Sequence, residues 1–509
     1  LARGLSRIGE LKALVERYRT VGEGRVGQDL RHVTYAAMPH GAKSFLTAAL
    51  VMASDERLVW IARDSEIADR VAEELAAWLG DPALIVTLEP RTALAYERSE
   101  LVRDESAARV AALAAWRGGG PRILVSGVQA LFQHTLAPDQ LPASPLELRP
   151  GQRISQVRVL RELVELGYEN LPEVGGRGEF ARRGGLVDVF PAGQPLPVRV
   201  EWFGDEIESL RAFDPATQRG VTPVDVVRLL PASEFLLPAG AGEAIRQRLG
   251  RLAARLPDAL AGDLVRMEAG SLGDAAEVWS GHLAPASGLD HLGNEILVLD
   301  EPADAASAAD FLWSQADERR AEMEQAKELP RGWPGAYPAP RDWKRMLHQA
   351  RILELTWEPD ARGAPAGGNP FGWHEPGLSP APLGDLAQTV TRWRREGARV
   401  VLASDQSARL SELLAEADVI AAPVATLREM PPPGGVSLVD RSLNGGFAGG
   451  PEGVVFVTDR ELFGTVRVRR PRAMRRVVPR DLLERLQPGD IVVHIDHGVA
   501  RYGGLVRRA

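Results

Sequence analysis

The 509-residue sequence contains no cysteine. That excludes a disulfide framework, a thiolate-ligated zinc or iron–sulfur centre, and a thiol nucleophile. No run of about 18 apolar residues occurs, so no segment reads as a membrane-spanning helix. There is no basic excess either. With 61 Lys and Arg against 69 Asp and Glu, the formal net charge is −8, and the global balance does not point to nucleic acid. Aromatic residues make up only 6% of the chain. What is present is 45% hydrophobic and 26% charged residues, the composition of a soluble globular protein, in a length that suits roughly three or four domains. The opening LARGLSRIGELKALVERYRT reads as an amphipathic helix and not a signal peptide, because it lacks an unbroken apolar core. A cytoplasmic setting is the default expectation.

The most distinctive stretch is Gly175–Arg219. Its alternating runs Gly185–Phe190, Leu196–Phe203 and Ile207–Phe213 are separated by Gly, Pro and acidic turn signals, the pattern of a small antiparallel sheet. Six Arg and seven acidic residues lie within it. Mixed sign suits a protein-binding face, where opposed charges set partner and register. It equally suits an ordinary salt-bridged surface.

Residues 1–150 read as an α/β domain with a parallel sheet: strands Val33–Ala37, Arg57–Ala62, Ala83–Leu88 and Arg122–Ser126 alternate with helices Phe45–Ala53, Ser65–Leu79 and Glu105–Trp116. The turn Met38–Ser44 sits where a phosphate-binding loop, GxxxxGK[ST], would lie. Gly41, Lys43 and Ser44 remain of it, but Ala37 and Ala42 replace the two loop glycines. A Cβ obstructs a backbone that must approach phosphate closely and adopt φ > 0, so a relic turn is favoured over a nucleotide site. Ile296–Pro302, ILVLDEP, matches the strand-plus-acid pattern that holds magnesium in such enzymes. Without a sound loop, Asp300 and Glu301 have no evident catalytic task.

A helix Ile154–Leu166 leads into the sheet, and residues 236–357 return to helix-rich sequence. Residues 358–383 are rich in Gly and Pro and read as a linker or loop. Residues 384–465 form a further small α/β unit, with helices Asp385–Glu396 and Gln406–Ala417 and strands Arg399–Ser404, Gly435–Leu438 and Gly453–Thr458. Arg467–Arg480 carries seven Arg and no acid, either a solvated basic linker or a contact with nucleic acid or an acidic partner. Gln487–Leu505 reads as the opening of a small barrel. His494, Asp496 and His497 lie near one another there, but no fourth ligand accompanies them and a structural role is favoured over a metal site. A chain that stops inside a barrel suggests a piece of a longer protein.

These residues carry a family resemblance. RGEFARRGGLVDVFP…PVRVEWFGDEIESLRAFDPATQR resembles the second domain of the excision-repair protein UvrB, and more closely its equivalent in the bacterial transcription-repair coupling factors. GDIVVHIDHGVARYGGL resembles the start of their RNA polymerase-interacting (CarD/Tudor-like) domain, and Gly446–Phe447 with VTDRELFG (Val457–Gly464) the domain between. The resemblance implies an α/β multidomain fold: a degenerate RecA-like domain over 1–150, an inserted α+β UvrB domain 2-like module over 151–235, a return segment over 236–357, a middle α/β domain over 384–465, a basic linker over 466–486, and the start of the barrel over 487–509.

It also implies a task in transcription-coupled nucleotide excision repair. RNA polymerase would be held through its β subunit, at strands near Ile491, Val492, Val493 and Leu505. An ATP- and Mg-dependent motor outside these residues would translocate on double-stranded DNA, and UvrA would be recruited. The UvrA-contacting arginines of such modules fall on Arg177, Arg183 and Arg199, with Glu201 as their acidic companion. A further family arginine aligns with Ala181, where the adjacent Arg182 could substitute. Phe190 is either an apolar anchor or core, with core favoured. Departures from UvrB are the degenerate loop and the absence of a tyrosine-rich hairpin: Glu89–Val110 contains only Tyr96, too little for a base-stacking platform. No catalytic residue, bound cofactor or metal is expected within this chain, and a monomer is expected.

Overall fold

A computed structural model describes residues 9–22, 31–141, 145–238, 240–359, 369–378, 383–441, 443–450, 452–464, 491–494 and 498–501. Its architecture is mixed α/β, with several sheets. The first sheet has six parallel strands in the order His32–Tyr35, Arg351–Leu355, Ile296–Asp300, Leu58–Ala62, Ile123–Gly127, Ile85–Leu88. A parallel sheet must be covered on both faces, which is why its strands are near-continuous apolar runs. In Leu58–Ala62, Leu58, Trp60 and Ala62 enter the core on one face while Val59 and Ile61 enter the core on the other. The helix Ser65–Leu79 starts where the Asp64 carboxylate accepts the Ile67 N–H at 2.9 Å and stops where Gly80 turns left-handed, φ 73°, the local signals for both ends.

The second sheet also has six strands, ordered Gly220–Pro223, Glu206–Phe213, Val198–Phe203, Leu186–Val189, Glu179–Arg183, Glu169–Asn170. Pairing is antiparallel except at the last edge. The helix Gln156–Glu165, capped by Ser155, buries Val159 and Leu163 against Phe180, Val187, Val200 and Leu210. One face of this sheet is therefore core. Its root is tied to the first unit by a buried charge cluster: Glu234 accepts from Arg91 Nη1 at 2.5 Å and Arg109 Nε at 2.8 Å, and Arg91 Nε donates to Glu277 at 2.6 Å. Burial alone would raise the Glu234 pKa, but the two guanidiniums hold it below the ordinary carboxylate range.

The third sheet is ordered Trp373–His374, Phe447–Gly449, Val454–Thr458, Arg399–Ala403, Val436–Val439, Pro423–Val424. The composition of 358–383 marks a linker or loop; within it Trp373–His374 pairs with Phe447–Gly449 and the Phe371 and Trp373 rings stack at 4.4 Å. The apolar aromatics outweigh the Gly and Pro around them. These rings, with Phe447 and Phe456, join Phe45, Leu46 and Leu58 of the first unit in one continuous core. Near the end of the chain, Ile491–His494 and Gly498–Arg501 form an antiparallel hairpin. Leu505, Asp496, His497 and the Arg467–Arg480 run lie outside the described residues.

Candidate protein-docking site

In the second sheet the pleat sorts side chains by parity. Val198 and Val200 belong to the helix-covered core, so Arg199, Glu201 and Phe203 stand on the opposite face. Across the ladder Arg199 pairs with Asp188 and Asp188 with Ala181, which brings Arg183, two residues on from Ala181, to that face too. This face therefore collects Arg183, Arg199 and Glu201. It does not collect Arg182, whose cross-strand partner is Val187 of the helix-covered core. Arg182 thus stands on the other side of its strand from Ala181, because one step along a strand reverses the side.

Each residue has its own setting. Arg199 donates to both Asp188 oxygens, Nε at 2.7 Å and Nη2 at 2.8 Å, and its guanidinium lies 5.1 Å from the Phe213 ring centroid. Hydrogen bonding to Asp188 raises its pKa further. The side chain is 24% exposed over a carboxylate that is 3% exposed, so Arg199 is a pre-positioned cation with an outer edge still open. Arg183 is freer: Nη2 donates to Pro172 O at 3.1 Å and Glu173 at 3.3 Å. Glu201 accepts the Ser209 hydroxyl at 2.7 Å.

Arg177 has a different place. It sits at the junction with the first unit, 3.7 Å from Asp104, donates to Gln194 O at 3.3 Å and lies 5.3 Å from the Phe190 ring. Phe190 itself is buried with Val174, Ala181 and Phe213; it is core.

Two residues escape the sequence reading. Phe203 is 81% exposed, beside the turn to Glu206–Phe213 and on the face of Arg199 and Glu201. Its signal was available: a large aromatic at a polar-parity position before Gly204–Asp205. Asp188, the counter-charge of Arg199, breaks the apolar run Leu186–Val189, but only the strand register reveals its partner.

At the would-be phosphate loop the helix begins at His40 and runs to Ala53, five residues earlier than the turn-like sequence suggests. With Ala42 in place of glycine the segment closes into helix directly after Pro39, which stands at the N-cap and makes no side-chain cap hydrogen bond. Ala37 keeps the left-handed φ of 50° that the first loop glycine would supply without strain. Lys43 is 2% exposed and its ammonium lies 2.8 Å from Asp300 and against Glu301. Asp300 and Glu301 are thus counter-ions of Lys43, a role the sequence reading did not give them. The Gly445 carbonyl oxygen sits where a Cβ on Gly41 would lie 2.0 Å away. The residues present do not fit a nucleotide phosphate: the lysine is neutralised internally and a backbone carbonyl faces the helix start.

Tyr96 is buried and its hydroxyl donates to Pro334 O at 2.7 Å, so its ring offers no stacking face. Among the described residues no cluster of three or more His, Asp or Glu could hold a metal, and no helix is long and apolar enough to cross a membrane.

Comparison with known proteins finds two matching families and several similar proteins. The family described as UvrB interaction domain matches residues 146–235, the second sheet and its helix. The family described as CarD-like/TRCF RID domain matches residues 486–509. A transcription-repair-coupling factor from Myxococcus xanthus is 29% identical over 96% of this chain and 43% of its own length. One from Bacillus subtilis is 24% identical over 94% of the chain and 42% of its own. One from Escherichia coli is 32% identical over 38% of the chain and 16% of its own. The chain spans less than half the length of these relatives. The chain is thus similar to transcription-repair-coupling factors along most of its own length, and it carries matches to the UvrB interaction domain and the CarD-like/TRCF RID domain within it.

Proposed function

We propose that this chain is the docking part of a factor acting in transcription-coupled nucleotide excision repair, and that the open face of the second sheet binds UvrA. The observation that carries the reading is the gathering of Arg183, Arg199, Glu201 and Phe203 on one side of a sheet whose other side is core. An exposed aromatic anchor among arginines is the composition of an interface hot spot. Guanidinium groups suit bidentate pairing with a partner's carboxylates. Arg177 acts differently, as a clamp that orients the docking module on the first unit.

In this reading the first unit is a degenerate RecA-like domain that serves as the mount. The hairpin Ile491–Arg501 opens the barrel that contacts the β subunit of RNA polymerase. ATP, Mg and double-stranded DNA are handled by a motor beyond these residues, and the chain works as a cytoplasmic monomer. Charge reversal, Arg183→Glu, tests the docking claim. UvrA binding measured by calorimetry should weaken at least tenfold, in line with the roughly 2–5 kcal/mol lost when one member of a buried interfacial pair is removed. The melting temperature should hold, because Arg183 is exposed and its partners are local. Unchanged affinity would sink the docking reading.

The rival reading is a UvrB-like subunit that binds DNA or hydrolyses ATP. Lys43, held by Asp300 and Glu301, argues against it. Micromolar ATP binding in a calorimetric titration would favour it instead.

A further inference from the structure

The docking face contains a charge arrangement that sheet stability alone does not account for. In the register of the adjacent strands Val198–Phe203 and Glu206–Phe213, Arg199 stands directly opposite Arg211. Like charges directly opposite each other destabilise a sheet. The fold relieves one of the two. Arg199 is turned onto the buried Asp188 carboxylate, with Phe213 beneath it.

Arg211 receives no such relief. Its side chain is exposed, and among the described residues that side chain makes no hydrogen bond or ion pair. Its cross-strand neighbours are Arg199 on one side and Pro223 on the other, and neither can neutralise it. Along its own strand Ser209 is committed to Glu201, the diagonal acid, at 2.7 Å, and Phe213 is core. A bulge at Glu201 and Trp202 leaves Glu208 as the extra residue of the strand, three residues from Arg211. Such bulges commonly re-aim side chains at functional edges.

We propose that Arg211 is a further contact residue of the docking face, taking a carboxylate of the same partner, and that Asp188 is a positioning residue holding Arg199 clear of it. The occupant is therefore an acidic patch on the protein that binds Arg183, Arg199 and Phe203. This rests on the docking reading above and extends its surface by one strand, toward Gly220–Pro223. The arrangement has a characteristic signature. Removing Arg211 relieves repulsion within the free chain, so it should leave stability unchanged or raised while it weakens association. A merely structural arginine would do the reverse.

The test measures the association and dissociation rates of the whole chain with UvrA at two salt concentrations, together with melting temperature. The variants are Arg211→Ala, Arg211→Lys and Arg211→Glu, set beside Arg183→Glu and Asp188→Asn. An edge charge acts mainly through the on-rate and its salt dependence. Arg211→Ala should slow association about three- to tenfold at low salt, with a shallower salt dependence and a melting temperature at or above that of the parent. Arg211→Glu should slow it further, and Arg211→Lys should recover part of the rate. Asp188→Asn should weaken binding by releasing Arg199.

Parent-like rates for both Arg211→Ala and Arg211→Glu, with Arg183→Glu impaired, would overturn the role of Arg211 and leave the docking reading standing. Parent-like rates for Arg183→Glu as well would instead overturn the docking reading. A fall in melting temperature and binding together in Arg211→Ala, not rescued by Arg211→Lys, would make Arg211 a residue of the fold and also refute the proposal.

Discussion

Replacing Lys43 by methionine keeps the length of the side chain and deletes its charge. The ammonium is buried, 2.8 Å from Asp300, which is 5% exposed, and against Glu301, which is 32% exposed. Breaking a buried pair by removing one partner typically costs about 3–5 kcal/mol, because the other charge is left uncompensated. Glu301 can turn partly to water, and its share is discounted accordingly, so we expect about 3 kcal/mol. For a unit of this size that corresponds to a fall in Tm of roughly 6–12 °C, at about 2–4 °C per kcal/mol.

The pH dependence separates this mechanism from simple misfit of the methionine. Burial pushes the Glu301 pKa up, but Lys43, the Thr356 hydroxyl at 2.7 Å and the Trp357 N–H at 2.9 Å outweigh it and hold the pKa below the ordinary value. A depressed carboxylate contributes stability that is present above its unfolded pKa of about 4.3 and is lost as pH falls through the folded value. In Lys43→Met burial meets less opposition, and the contribution shrinks or reverses sign. The variant should therefore lose stability relative to the parent as pH rises from 4 to 7, measured by urea denaturation. Adding Asp300→Asn and Glu301→Gln to Lys43→Met should restore most of the loss at pH 7. A Lys43→Met chain within about 1 kcal/mol of the parent at pH 7, with the same pH profile, would refute the assignment of Lys43 as the internal counter-ion.

Two further outcomes follow from the packing. Gly41→Ala sets a Cβ 2.0 Å from Gly445 O and 2.8 Å from Gly445 C. Backbone must move, at a cost of about 1–3 kcal/mol, and proteolysis near Gly445 should quicken; an unchanged melting temperature and cleavage rate would contradict the close approach. His282 lies against Trp279 and Trp333, and burial, helped by Arg248, lowers its pKa from 6.5 to about 4. It stays neutral in the fold while the unfolded chain takes up a proton, so its contribution is lost as pH falls from about 6.5 toward 4. His282→Phe keeps an aromatic ring and should flatten stability over that interval, a change read directly from urea midpoints at pH 7, 5.5 and 4.

Sequence alone determined what depends on local pattern. Period-2 alternation located the strands ending at Phe203 and Phe213, the local pattern set the helix Ser65–Leu79, and parity already placed Arg199 and Glu201 on one side of their strand. Residue types sufficed to show that the loop at Gly41–Ser44 is degenerate, since Ala37 and Ala42 carry Cβ atoms where phosphate would need glycine. Tertiary structure decided what depends on distant partners. Lys43 meets Asp300 across 257 residues of chain, and no local signal shows that an ammonium has been satisfied from so far away.

The Gly445 carbonyl reaches the helix start only because Phe45, Trp373 and Phe447 share a core, which made an apparent linker into a strand. Arg182 and Arg183 are neighbours in sequence, but the ladder register put one on the helix-covered side and the other on the open face. The opposition of Arg199 and Arg211, and the carboxylate of Asp188 that relieves only one of them, likewise exist only once three strands pair. Charge and shape along a chain are local quantities, whereas burial and pairing belong to the surfaces that folding brings together.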